Sequence, residues 1–266
     1  NKAGTSGGAL NWNGEYSNLT NCIFKENSAE NSGAIDALNP NGMISNCTFV
    51  GNTADSYGSI YWTGDKALIE KCDFINGSAD LSGGAFCIAA EYVTVDNCNF
   101  INLSGKWGGA IRWDYKKNGR VINCNFTNVT ATSLGGAIYW RTAKNGEISN
   151  CTFIDCSCDD SGGSIYWRES DYGVLDNCIF INSYANITGG AMLWSGENCN
   201  ISNCYFNNTL CYSETGEVIN WGASIGEIKN CTMENSNAQY SIYIDGIYPY
   251  DGIVYLEKND FDLSIY

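Results

Sequence analysis

The sequence predicts an all-β fold, a right-handed single-stranded parallel β-helix: a solenoid of about ten rungs, each of three short strands and 25–27 residues. Three observations predict it. Nine Cys (Cys22, Cys47, Cys72, Cys98, Cys124, Cys151, Cys178, Cys204 and Cys231) recur at 25–27-residue intervals, most inside Asn-Cys-x-Phe. A Gly-Gly-Ala/Ser-large apolar unit recurs in the same phase, at Gly7-Gly8-Ala9-Leu10, Gly83-Gly84-Ala85-Phe86, Gly108-Gly109-Ala110-Ile111, Gly162-Gly163-Ser164-Ile165 and Gly189-Gly190-Ala191-Met192. No window has the 3.6-residue apolar period of a helix, and two Pro in 266 residues suit strands paired on both edges.

Each rung opens at Gly-Gly, where glycine allows a turn that other residues resist. The strand that follows starts with a small residue (Ala9, Ala34, Ser59, Ala85, Ala110, Ala137, Ser164, Ala191) and continues with a large apolar one (Leu10, Ile35, Ile60, Phe86, Ile111, Ile138, Ile165, Met192). The third position varies freely, and the fourth is Trp12, Trp62, Trp113, Trp140, Trp167, Trp194 or Trp221 in seven rungs. Period two puts the second and fourth rows inside and the first and third outside. After a variable loop, a second strand brings in Ile44, Ile69, Val95, Val121, Ile148, Leu175, Ile201 or Ile228. The Asn before each Cys marks a left-handed bend and can bond to its copies in adjacent rungs. Cys and Phe then point inward from a third strand, and a last bend near Asn76, Asn102, Asn128, Asn182 or Asn208 returns the chain to Gly-Gly. Residues 1–245 form the repeats, and 246–266 are a degraded last rung, a cap or a junction to a following domain.

Fourteen Cys invite a disulfide or zinc reading, and spacing argues against both. In-register strands hold equivalent Cβ atoms about 4.8 Å apart with parallel vectors, whereas a disulfide wants ~3.8 Å and convergence. Zinc sites want ligand pairs a few residues apart, and the chain has no His. The nine ladder Cys are read as stacked free thiols, Cys158 and Cys211 as core residues, and Cys87, Cys156 and Cys199 as the candidates for a local bridge. No metal or cofactor is expected.

A formal charge of −15 disfavours nucleic acid and anionic lipid as partners. No apolar run is long enough to span a bilayer, and a repeat already under way at residue 6 suggests a piece of a longer exported chain. Gly-Gly-Ala-Ile with a Phe-x-x-Asn-like element resembles the repeats of chlamydial polymorphic outer-membrane proteins. The fuller signature, Asn-Cys-x-Phe with Gly-Gly-Ala-Ile-Tyr-Trp over residues 6–245, looks more like the large adhesin-like surface proteins of methanogenic archaea. That resemblance implies a β-helix displayed at the cell surface, attaching to a surface polysaccharide or surface protein of another cell, with no catalytic residue carried by the motifs.

Candidate ligand-binding residues are the outward row Tyr61, Arg112, Tyr139 and Tyr166, expected on an open strand face where rings can stack on sugars, with Trp107, Tyr115 and Arg168 beside it. The bland alternative is that tyrosine ladders simply favour sheets. A polysaccharide lyase or glycosidase is the enzymatic alternative, and its nearest carboxylates are Asp36, the cluster Asp155, Asp159 and Asp160, or Glu169 and Asp171 near Arg168. A structural stalk or a filament associating end to end is the third reading. Asn18, Asn76, Asn102, Asn186 and Asn207 stand in glycosylation sequons, whereas Asn46, Asn150 and Asn230, on the Asn ladder, are expected to be buried and unmodified.

Overall fold

A computed structural model describes residues 1–212, 217–223, 225–236, 239–244, 253–261 and 264–265. The chain winds as a right-handed parallel β-helix whose strands pair only with equivalents one rung away. Among the described residues three long sheets form: 11 strands from Leu10–Trp12 to Ser264–Ile265 (the Trp sheet), 10 from Asn18–Thr20 to Val254–Glu257 (the Ile sheet) and 10 from Ile23–Lys25 to Asp260–Phe261 (the Phe sheet). The described parts of the tail thus continue the stack, in register at Val254–Glu257 and Asp260–Phe261 and with a register shift at Ser264–Ile265. The third bend carries more structure than sequence suggests: two-residue strands such as Ser28–Ala29 and Ser78–Ala79 build a fourth sheet of eight strands.

The core is a bundle of ladders. Phe49, Phe74, Phe100, Phe126, Phe153, Phe180 and Phe206 are buried, and their rings stack at 4.6–5.3 Å. Trp113, Trp140, Trp167 and Trp194 stack at 4.3–4.7 Å. Every cysteine is a free thiol, Cys87, Cys156 and Cys199 included, and all but the end-rung Cys22 are buried. The Sγ of Cys47 accepts the Cys22 N–H at 3.4 Å and donates to the Ser45 carbonyl at 3.3 Å. A thiol here fills space and satisfies polar atoms of the bend.

Both glycines of the Gly-Gly turn are required, for different reasons. The first adopts a left-handed backbone at every such turn but that of Gly83, with φ of 65° at Gly135 and 72° at Gly162. The second has no room for a side chain: a Cβ on Gly136 would lie 1.9 Å from the Gly163 carbonyl oxygen. Beyond this turn the simple alternation fails. The N–H groups of Ala137 and Ile138 both reach the Ser164 carbonyl, at 2.9 and 3.0 Å, and the same forked pattern recurs at Ala110-Ile111 and Ser164-Ile165. Two donors on one acceptor kink the strand start, so two successive side chains turn inward. The first row from Ala34 to Val218, expected outside, is therefore buried.

The Asn bends adopt the predicted conformation, with φ of 51–57° at Asn21, Asn46, Asn97, Asn123, Asn150, Asn177, Asn203 and Asn230. Their side chains bridge rungs, as when Asn46 donates to Asn21 at 2.6 Å and Asn177 to Asn150 at 2.7 Å. These amides line an outer corner, so Asn46, Asn150 and Asn230 are exposed rather than buried. Lys71 interrupts the row at φ 52°. Lys71→Asn is expected to raise stability by about 1 kcal/mol, since a left-handed backbone strains most side chains and asparagine least. A fall in the urea midpoint would contradict this.

Candidate functional site

The outward row of the Trp sheet runs in register through Asp36, Tyr61, Cys87, Arg112, Tyr139, Tyr166 and Leu193. It is not the open face that alternation suggests. The segment before the turn folds back over the row: Tyr57 stacks on Tyr61 at 4.3 Å, the Ser82 hydroxyl accepts from Arg112 Nη1 at 3.0 Å, and a Cβ on Gly135 would stand 3.1 Å from Tyr166 Cβ. Tyr139 and Tyr166 stack on each other at 5.3 Å and are each only 4% exposed, so neither ring offers a face to a ligand. Tyr61 and Arg112 are half-buried, and Cys87 is closed off.

What reaches solvent is a strip of cations and one indole. Trp107 ends the strand Ser104–Trp107 and is half-buried. The Lys106 ammonium lies 5.0 Å and the Arg112 guanidinium 4.8 Å from the Trp107 ring, with Arg112 also 5.8 Å from the Tyr139 ring. Such contacts favour a cation over a ring face. Burial opposes the Arg112 charge, but the ion pair with Asp114 at 2.5 Å outweighs it and the guanidinium is held more strongly protonated than usual. Burial pushes the hydroxyls of Tyr61 and Tyr139 up. Arg168, 52% exposed in its side chain, donates from Nη1 to the Tyr166 hydroxyl at 3.0 Å. Arg141 is likewise raised, chiefly by its hydrogen bond with Tyr139.

The carboxylates beside the strip are engaged. Glu169 lies between Arg141 at 3.6 Å and Arg168 at 3.4 Å, and Asp171 accepts from Lys144 at 2.6 Å. Elsewhere Asp155 accepts from Asn182 and Asp160 from Ser161, both at 2.7 Å. No cluster of three or more metal-ligating side chains occurs among the described residues.

The structure therefore brings Trp107, Arg112, Tyr139, Tyr166 and Arg168 together, leaves Tyr61 with Tyr57 lower on the same face, and puts Tyr115 in an exposed loop. Lys106, Tyr57 and Ser82 escaped the sequence reading. Their signal was present, since Tyr57, Ser82 and Trp107 all stand immediately before the glycine that opens a rung. Of the sequon asparagines, Asn18, Asn76, Asn102 and Asn186 are exposed and Asn207 is half-buried.

Forked turns, stacked ladders and four parallel sheets are one winding throughout. Residues 136–261 match the right handed beta helix region family. The match spans 126 of 266 residues, just under half the chain. It starts inside the Gly135-Gly136 turn, and the rungs on either side of that turn pair in unbroken register, Ile111 with Ile138 and Ile138 with Ile165, so the β-helix before residue 136 is the same winding. No match was found among curated proteins or among solved structures.

Proposed function

We propose that the chain is a non-catalytic module of a cell-surface adhesin, part of a longer exported protein, in which a rigid rod presents its Trp-sheet strip to a surface polysaccharide of another cell. One observation carries this reading: a chain of net charge −15 gathers three of its four arginines, with Lys106 and Trp107, along one strip. Scattered charges would keep a rod soluble equally well, whereas aligned guanidinium groups beside an indole suit the carboxylates or sulfates of an acidic glycan.

The test is a glycan array and a whole-cell binding assay, scored in parallel for newly released reducing or unsaturated sugar ends. Saturable binding without product is expected. The double variant Trp107→Ala and Arg168→Ala should weaken binding at least tenfold, about 1.4 kcal/mol, while the urea midpoint moves little because Arg168 is half-exposed. Product release would favour a polysaccharide-active enzyme, and neither binding nor product would favour a structural stalk.

A further inference from the structure

A separate row follows the loops between the Trp and Ile sheets. Tyr16, Asn41, Lys66, Tyr92, Asn118, Asn145 and Tyr172 each stand two residues before an Ile-sheet strand, Asn198 stands two before Asn200, the register partner of Val174, and those strands pair in register. All eight have a left-handed backbone, with φ between 54° and 61°. That conformation is cheap for asparagine and costly for tyrosine. Asparagine fills four of these positions with the same backbone, so the turn does not need an aromatic ring.

The three tyrosines leave half or more of their surface to solvent. Tyr16, Tyr92 and Tyr172 are 73%, 51% and 56% exposed. Among the described residues their rings touch no other aromatic ring and their hydroxyls make no hydrogen bond. They recur at every third rung, two equal intervals of about 14 Å at the ~4.8 Å strand spacing. Equal φ and common register send their side chains off the same edge in the same sense. Each tyrosine directly follows an acid, Glu15, Glu91 or Asp171. Strain retained without a structural return points to a role.

We infer that this edge is a binding track for a linear, uncharged, hydroxyl-rich polysaccharide lying along the rod. Tyrosine rings offer apolar faces to the C–H faces of sugar rings, and the Glu15 and Glu91 carboxylates accept hydroxyl hydrogen bonds while repelling a polyanion, Asp171 being held by Lys144. A chain long enough to reach two tyrosines gains by effective concentration, and a shorter one does not. The track is distinct from the arginine strip, whose ligand chemistry is anionic.

The experiment is affinity electrophoresis of the purified chain in gels containing hydroxyethylcellulose, glucomannan, xyloglucan or polygalacturonate. At least one of the three neutral polymers should retard the protein. The triple variant Tyr16→Asn, Tyr92→Asn and Tyr172→Asn should lower that affinity at least tenfold. It installs the residue the fold already uses in this row, so its circular dichroism and urea midpoint should be retained or improved. Oligosaccharides too short to reach two tyrosines should bind at least tenfold more weakly than the polymer. Failure of all three neutral polymers to retard the wild-type chain overturns the inference, as does equal retardation of the triple variant. Retardation by polygalacturonate alone overturns it while leaving the arginine strip intact, and Trp107→Ala distinguishes the two, because it should affect only the anionic polymer.

Discussion

Trp167→Ala is expected to lower the unfolding free energy by about 3–5 kcal/mol, the range for removing a large buried aromatic side chain. The ring is fully buried, lies 4.7 Å from Trp140 and 4.3 Å from Trp194, and donates from Nε1 to the Ser170 carbonyl at 2.8 Å. Removal opens a cavity between two rings and leaves that carbonyl with only the weaker Cys199 thiol donor at 3.5 Å. The loop over the ring cannot collapse into the space, because its path is already fitted to the indole: a Cβ on Gly173 would stand 2.5 Å from Trp167 Cζ2. Each rung of a solenoid touches only its neighbours, so a fault in the middle severs the stack, whereas Trp12→Ala at the half-buried end rung should cost far less. Urea denaturation followed by tryptophan fluorescence and circular dichroism measures both. A loss under 1.5 kcal/mol for Trp167→Ala would show that the Trp ladder is not a principal support.

That glycine illustrates what a sequence hides. Ladders of Phe, Trp and Ile were legible because period-two alternation places them inside regardless of what surrounds the strand, and the Asn bends because few other residues tolerate their backbone. Gly119, Gly146, Gly173 and Gly226 read only as loop residues, yet each lies against the indole of its own rung, with Cβ approaches of 2.1–2.5 Å. The Ala and Ser of the first row looked outward because alternation knows nothing of a forked hydrogen bond at the strand start. Tyr139 and Tyr166 looked open for a related reason: what covers them is a different segment of the chain, and no strand's own pattern reports what crosses over it. The site was thus half legible. Its residue types and rung positions came from the repeat, while exposure, which decides which atoms meet a ligand, came from the fold-back before Gly-Gly.

Between pH 8.5 and 9.5 the rod is expected to lose stability by several kcal/mol, and its buried thiols are the reason. Burial raises the thiols of Cys98, Cys124, Cys151, Cys178 and Cys204 well above the usual cysteine range, and pushes Cys87 and Cys156 up to about 12. The unfolded chain binds their protons with a pKa of about 8.5. Below that value both states keep the protons and the thiols contribute nothing to the pH dependence. Above it the unfolded state ionises first and is stabilised, so folding stability falls until each folded-state pKa is passed. Across the first unit, from 8.5 to 9.5, each such thiol removes about 1 kcal/mol, and the seven together about 7 kcal/mol, comparable to the ~5–15 kcal/mol of a typical domain. Cys231 runs the other way, lowered by a hydrogen bond from Cys204, and offsets little as a single group. Urea midpoints at pH 7.5, 8.5 and 9.5 with a phosphine reductant present measure the effect, and an unchanged midpoint at 9.5 would refute it. Cys124→Ala should destabilise the rod at pH 7.5 by opening a cavity, yet flatten the alkaline slope by one proton. A merely structural cysteine with an ordinary pKa would leave that slope alone. The same burial predicts that iodoacetamide labels the ladder thiols other than the end-rung Cys22 only as the chain unfolds, so the rod keeps those thiols reduced by geometry rather than by a reducing environment.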